Sequence, residues 1–146
     1  MRGWREQPGE LHRALELVLS AVGGYSWGVM RLKAEFWVKA YIRRCAVEGA
    51  SAVVVRHGDD DAGAIFIKIN RLDGTCLLFG PAPAGYSGMD SDRRWVACGA
   101  PNGMREDEVD VYIAKEARFD SDMWLVEVED RSGRHFLDDQ LLATTV

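Results

Sequence analysis

The sequence predicts an α+β fold in which an antiparallel sheet, arranged as a meander, packs against two helices. Apolar residues recur at helical spacing over 32–49 and 105–119. Short β-branched runs lie between these segments and after them, and glycine, proline and aspartate separate the runs. Strands and helices do not alternate along the chain, which argues against a parallel sheet built from βαβ units.

A further helix is predicted ahead of this core. The segment 11–22 carries apolar residues at helical spacing, ends at two glycines, and is too short to span a bilayer. Met30 follows that break and precedes a well-patterned helix, so it is a plausible start of the domain. We therefore divide the chain into an N-terminal extension that includes the extra helix, 1–29, a single domain, 30–140, and a frayed tail, 141–146.

The first helix of the domain is expected to be buried on more than one side, because Phe36 and Trp37 widen its apolar face. Four strands are predicted after it, over 52–55, 64–70, 75–79 and 93–98. Asp73 and Gly74 favour a hairpin with a two-residue type I′ turn between the second and third strands.

The domain is predicted to end with the second helix and two further strands, over 123–129 and 135–137. Several strands, such as 53–55 and 65–67, are continuous apolar runs, so both faces of the sheet need cover. Two helices supply only part of that cover. The N-terminal helix or a second copy of the chain is expected to supply the rest, which makes a homodimer a reasonable hypothesis.

Charge and composition limit the partners. The net charge is −5, whereas nucleic-acid binding requires a basic surface. The remaining argument for nucleic acid is a basic and aromatic surface formed by Lys33, Lys39, Arg43 and Arg44 on the first helix with Arg93, Arg94 and Trp95 on the fourth strand. The segment 105–139 holds twelve Asp and Glu against five Lys and Arg, which is typical of a solvated acidic surface with internal ion pairs. The alternative is that this half of the domain meets a basic protein partner.

Cysteine usage indicates the compartment. The chain has three cysteines, an odd number without chelating spacing, and each lies in an apolar segment. Free thiols of this kind are typical of the reducing cytoplasm. No segment has the length and composition of a membrane span, so no membrane association is expected.

No phosphate-binding loop, nucleophile elbow or zinc motif occurs in the sequence. The candidate catalytic residues are carboxylates: Asp59 and Asp61 in the loop between the first two strands, and Glu127 and Glu129 on one face of a later strand. Their alternative interpretation is a solvated loop and the wet face of a strand. A nuclease-like site would also require a lysine two residues after the second carboxylate, and the sequence has none there.

Five segments resemble one small bacterial family. They are MRLKAEFWVKA at 30–40, GD and DAGA within 58–64, NRLDGT at 70–75, FGPAP at 79–83 and EARFD at 116–120. The family is domain-of-unknown-function family 1491, typical of alphaproteobacteria, and the resemblance covers about 31–138. It implies a compact α+β protein of the bacterial cytoplasm that starts near Met30, and it conveys no activity, cofactor or catalytic residue.

We therefore expect a noncatalytic protein-interaction or accessory module without a cofactor or a metal, which meets its partner through the loop 80–92 or the acidic C-terminal hairpin. The alternative is a metal-dependent hydrolase or nuclease-like enzyme that uses the acidic loop and strand residues. The expected partner is another protein or a second copy of the chain, rather than nucleic acid or a membrane.

Overall fold

The computed structural model describes residues 32–83 and 93–142. Its two helices are α1 (Ala34–Val47) and α2 (Glu106–Phe119), and a short 3-10 turn spans Asp138–Gln140. The strands are β1 (Ser51–Arg56), β2 (Ile65–Asn70), β3 (Thr75–Pro81), β4 (Trp95–Cys98), β5 (Met104–Arg105) and β6 (Trp124–Glu129). The predicted N-terminal helix and the extension 1–29 lie outside the described residues, as do residues 84–92 of the predicted interaction loop 80–92.

The described strands form one sheet in the order β1-β6-β2-β3-β4, and the short β5 also pairs with β3. The α+β class is confirmed, and β2, β3 and β4 form the predicted meander. The first strand departs from the meander, because β6 lies between β1 and β2 and pairs with β2 in parallel. The burial of β6 fits this central position, because Trp124, Val126 and Val128 are buried in the core on one face and Leu125 is buried on the other.

Two local predictions were wrong. The segment 135–137 is not a strand, because Phe136 has a φ of 55° and the Leu137 N–H donates to His135 Nδ1 over 3.0 Å. The β2–β3 hairpin exists, but positive φ falls at Leu72 and Gly74 rather than at Asp73 and Gly74. The Asp73 carboxylate accepts the Thr75 N–H, so it organises a longer loop than a two-residue turn.

The core has two layers, one on each face of the sheet. On the α1 face, the Trp37 ring lies 4.9 Å from Tyr41 and 4.4 Å from Trp95, above the buried isoleucines of β2. On the other face, Val109 and Ile113 of α2 pack on a smaller apolar cluster. Neither α1 nor α2 is long and apolar enough to cross a membrane, within the part of the chain that the structure describes.

The two edges of the sheet differ. The edge at β4 is covered at its first residue, because Leu141 forms a bridge with Trp95 and the Leu142 N–H donates to the Trp95 carbonyl over 2.9 Å. Both leucines belong to the tail that the sequence predicts to be frayed. The edge at β1 pairs with β6 on one side only, as far as residues 32–83 and 93–142 extend.

Candidate functional site

The β1 edge exposes three consecutive apolar side chains. Val53 is 52% exposed, Val54 39% and Val55 55%. Alternate residues of a strand point to opposite faces, so these valines leave apolar surface on both sides of the edge. A strand edge with unpaired backbone groups and apolar side chains is a template for pairing with another strand.

A register shift ends the regular part of β1. Val54 lies opposite Val126, whereas Arg56 lies opposite Leu125, so one additional residue is accommodated between them. Such bulges twist a strand and limit the length over which it can pair. The Arg56 guanidinium donates to the Ser121 carbonyl over 3.2 Å, which holds this end of β1.

On the face of the sheet that also carries α2, the buried Lys68 of β2 forms ion pairs with two carboxylates. Lys68 Nζ lies 3.0 Å from Glu106 Oε1 and 2.9 Å from Glu127 Oε2. The Lys68 side chain is 7% exposed, that of Glu127 20% and that of Glu106 58%. Burial acts to lower the pKa of Lys68, but the bonds to Glu127 and Glu106 outweigh it and raise that pKa above its ordinary value.

Lys68 is the site residue that sequence reasoning missed. Lys68 is the only charged residue in the strand IFIKIN, and a charged residue is almost never fully buried unless it is paired. The parallel register places it directly opposite Glu127. A single lysine in an otherwise apolar central strand was therefore the available signal for an internal ion pair.

The acidic loop between β1 and β2 is organised around Asp59. Its Oδ2 accepts the N–H groups of Asp61 and Ala62 over 3.1 and 2.8 Å. Its carbonyl accepts the Trp124 Nε1–H over 2.8 Å. The carbonyls of Asp60 and Asp61 in turn accept the N–H groups of Glu35 and Ala34, so this loop caps the first turn of α1.

The four predicted carboxylates are not brought to one place. Asp61 precedes β2 and pairs with Lys33 over 3.3 Å, whereas Glu129 lies opposite Asn70, at the far end of β2. Glu127 is held by Lys68 between these ends. Over the described ranges, no three His, Cys, Asp or Glu side chains form a group that could hold a metal ion.

The structure divides the predicted basic and aromatic surface, because Lys33, Lys39 and Arg43 are exposed whereas Arg44, Arg93 and Trp95 are buried. Trp95 is 1% exposed and donates its Nε1–H to the Ile65 carbonyl over 2.9 Å. Arg93 is 5% exposed and donates to the Leu32 carbonyl over 3.2 Å. These side chains hold β4 to the core and do not offer a stacking platform for bases.

We expect the Asp59→Ala substitution to lower the free energy of unfolding by about 1–2 kcal/mol, because it removes the acceptor of two loop N–H groups. Urea unfolding followed by tryptophan fluorescence measures this. The matched control is Asp60→Ala, which removes only an exposed 2.8 Å contact with His57 and should cost about 0.5 kcal/mol or less. A midpoint that rises with added Mg²⁺ in the parent and not in Asp59→Ala would contradict this structural role.

The comparisons with known proteins agree with the fold. The chain is similar to a DUF1491 family protein from Caulobacter crescentus, whose crystal structure matches with a TM-score of 0.65 and 41% identity, over 76% of this chain and 99% of that one. It is also similar to protein Atu0922 from A. tumefaciens, solved in solution, with a TM-score of 0.60 and 40% identity over 68% and 86% of the two chains. Both organisms are alphaproteobacteria. None of the curated proteins matches the chain.

The family model for proteins of unknown function DUF1491 matches residues 32–138, which is most of the described domain and includes both helices and all strands of the sheet. The chain belongs to the DUF1491 family.

Proposed function

We propose that the domain is a noncatalytic protein-interaction module of the bacterial cytoplasm that assembles with a second copy of itself through β1. The observation that carries this proposal is the contrast between the two sheet edges. Leu141 and Leu142 pair with β4 at Trp95, whereas Val53, Val54 and Val55 remain exposed on β1. An apolar strand at the exposed edge of a sheet is typical of a strand that pairs with a partner.

A second copy is a suitable occupant because β1 is complementary to itself. Antiparallel pairing about a two-fold axis places valines against valines and brings Arg56 of one copy to the Ser51 end of the other. Glu129 of β6 lies opposite Ser51 of β1, and Leu125 of β6 lies opposite Arg56 of β1. Opposite residues point to the same face, and Leu125 and Glu129 point to one face of β6, so Arg56 and Glu129 lie on the same face of the sheet. At each end of the pairing, Arg56 of one copy and Glu129 of the other therefore lie on the same sheet face with one strand between them, so no like charges face each other there.

The thiols support the proposed compartment. Cys45 and Cys76 are buried and unpaired, and burial raises the pKa of the Cys45 thiol to about 11. A thiol with a raised pKa carries little thiolate and reacts slowly. Stable free thiols of this kind fit a reducing cytoplasm.

Sedimentation equilibrium of the 146-residue chain tests the pairing. We expect a reversible dimer at micromolar concentration, since pairing of two short strands buries less area than a permanent interface. The Val53→Lys/Val55→Lys variant should be monomeric, because like charges then face each other across the two-fold axis.

The matched control is Val47→Lys/Val111→Lys, which adds the same charge at valines that are 76% and 71% exposed on the two helices. It should dimerise like the parent. A monomeric parent at 100 µM, or an equal loss of dimer in both variants, contradicts pairing through β1. Pairing through β1 is also contradicted if the parent is a monomer whereas the chain that starts at Met30 forms a dimer. That result would mean that residues 1–29 cover the β1 edge.

A further inference from the structure

The segment that follows β6 contains a turn, 135–138, that is closed by a neutral histidine. The Leu137 N–H donates to His135 Nδ1 over 3.0 Å, and a backbone N–H can only donate. Nδ1 therefore carries no proton, and the proton of the neutral imidazole lies on Nε2. Protonation of His135 would place a second donor against the Leu137 N–H, and the hydrogen bond would be lost.

The backbone of this turn is strained. Phe136 has a φ of 55° and Asp138 a φ of 51°, and left-handed backbone is costly for residues other than glycine. Such a conformation persists only while the surrounding contacts hold it. The Tyr41 hydroxyl supplies one contact, because it donates to the His135 carbonyl over 2.6 Å. Burial of Phe136 and Leu137 supplies another. Loss of the hydrogen bond to the imidazole should therefore weaken the whole turn.

The groups that face the imidazole include one charge that favours its protonation. Asp138 acts to raise the pKa of His135, but burial outweighs it and holds that pKa below its ordinary value of 6.5. The Asp138 carboxylate in turn lies 3.6 Å from the Arg44 guanidinium of α1. From β3, the uncharged Phe79 ring approaches the imidazole edge-on, with 5.3 Å between the ring centroids.

The neighbouring titratable groups keep one charge state between pH 5.5 and 7.5. Burial raises the pKa of both Tyr41 and Cys45 on α1, so these groups stay neutral. Hydrogen bonds from Arg134 hold the pKa of the Asp130 carboxyl below its ordinary value, so this pair ahead of the turn stays charged. Histidine is the side chain whose ordinary pKa falls in this range, so His135 is the group of the turn that titrates there.

The turn leads directly into the segment that covers β4 at its first residue. Leu141 forms a bridge with Trp95, and the Leu142 N–H donates to the Trp95 carbonyl. We propose that His135 is a pH-sensitive latch, whose protonation opens the turn and releases the segment 135–142 from the sheet edge at Trp95. A fall in pH thus uncovers backbone groups at a second edge of the sheet. This proposal does not depend on the pairing through β1.

The direction of the effect follows from proton linkage. The imidazole titrates with its ordinary pKa when released and with a lower pKa in the turn, so the closed turn binds fewer protons. The contribution of His135 to the closed turn is fully present above pH 6.5, and it is lost as the pH falls toward the lowered pKa. The equilibrium constant for opening should rise about fivefold between pH 7.5 and 5.5, since a difference of one pKa unit corresponds to a factor of ten.

Two NMR measurements on the full chain test the latch. Nitrogen-15 shifts of the His135 ring should show the neutral Nε2–H tautomer at pH 7.5 and an apparent pKa below 6.5. Hydrogen exchange should show that the protection factor of the Leu142 amide falls about fivefold from pH 7.5 to 5.5. It should also stay below the protection factor of Val126, a buried residue of the central strand β6 that reports global unfolding.

The His135→Asn variant separates the acceptor from the charge. An asparagine Oδ1 accepts the N–H two residues further on in turns, and it does not titrate. We expect the pH dependence of Leu142 protection to disappear in this variant. The matched control is His57→Asn, at a histidine whose side chain is 64% exposed, and it should keep the pH dependence of the parent.

Four results would overturn the latch. They are an Nδ1–H tautomer of His135, a His135 pKa of 6.5 or above, Leu142 protection equal to that of Val126, and equal pH dependence of Leu142 protection in the parent and in His135→Asn. The first three are measured on the parent chain and require no substitution.

Discussion

Replacing Gly63 by alanine is expected to lower the free energy of unfolding by about 3 kcal/mol, through crowding in a packed site. A Cβ at this position would overlap the Asp122 carbonyl oxygen and lie 2.8 Å from both the Asp59 carbonyl oxygen and Trp124 Cδ1. Two of these three neighbours are backbone atoms, so no side-chain rotation relieves the contact. The same loop also caps α1, so a shift there is transmitted to the helix.

The matched control for Gly63 is Gly49→Ala. Gly49 has a φ of +81° but no atom within 4 Å of an added Cβ, so it isolates the cost of left-handed backbone, about 1 kcal/mol. Urea unfolding by circular dichroism and tryptophan fluorescence compares the two variants. Equal losses at Gly63 and Gly49 would show that crowding against Asp122 and Trp124 is not the cause.

The Lys68→Met substitution is expected to cost about 3 kcal/mol, because it removes the cation that compensates a largely buried carboxylate. Glu127 is 20% exposed and would lose its 2.9 Å ion pair, whereas Glu106 is 58% exposed and would turn to solvent. The loss should therefore come mainly from Glu127. Equilibrium unfolding in urea at neutral pH measures it.

Two comparisons decide this explanation. The Lys68→Met/Glu127→Leu variant should recover most of the lost stability, since replacing both partners of a buried pair by apolar residues is often close to neutral. Lys39→Met breaks the exposed 2.7 Å pair with Glu35 and should change the free energy of unfolding by about 0.5 kcal/mol or less. A double variant as unstable as Lys68→Met, or a loss at Lys39 equal to that at Lys68, would contradict the buried pair as the cause.

Local pattern was sufficient to find the helices and most of the strands. The spacing of Trp37, Val38 and Tyr41 predicts α1, and these side chains are buried in the structure. The spacing of apolar residues could not predict the order of the strands in the sheet. β1 is an apolar run whereas β6 alternates apolar and acidic residues toward its end, yet the valines of β1 are exposed and Val126 and Val128 of β6 are buried, because β1 lies at the edge of the sheet.

The candidate site was predictable only in its residue types. The sequence identified Asp59 as a loop residue, but the carbonyl that binds Trp124 cannot be inferred from local spacing. Glu127 was identified as a strand carboxylate without its partner, because Lys68 reaches it only through the parallel pairing of β2 with β6. Contacts between distant segments are set by the topology, and single-sequence periodicity carries no information on them.

The position of β6 also has a consequence for how the chain folds. β1 and β2 are close in sequence, yet the strand that joins them in the sheet is the last of the described strands to be synthesised. Until Glu129 has left the ribosome, β2 can pair only with β3, and β1 lacks the strand with which it pairs in the structure. The central pairing is therefore a late, non-local step, and such steps slow folding and prolong the exposure of apolar strands in the nascent chain.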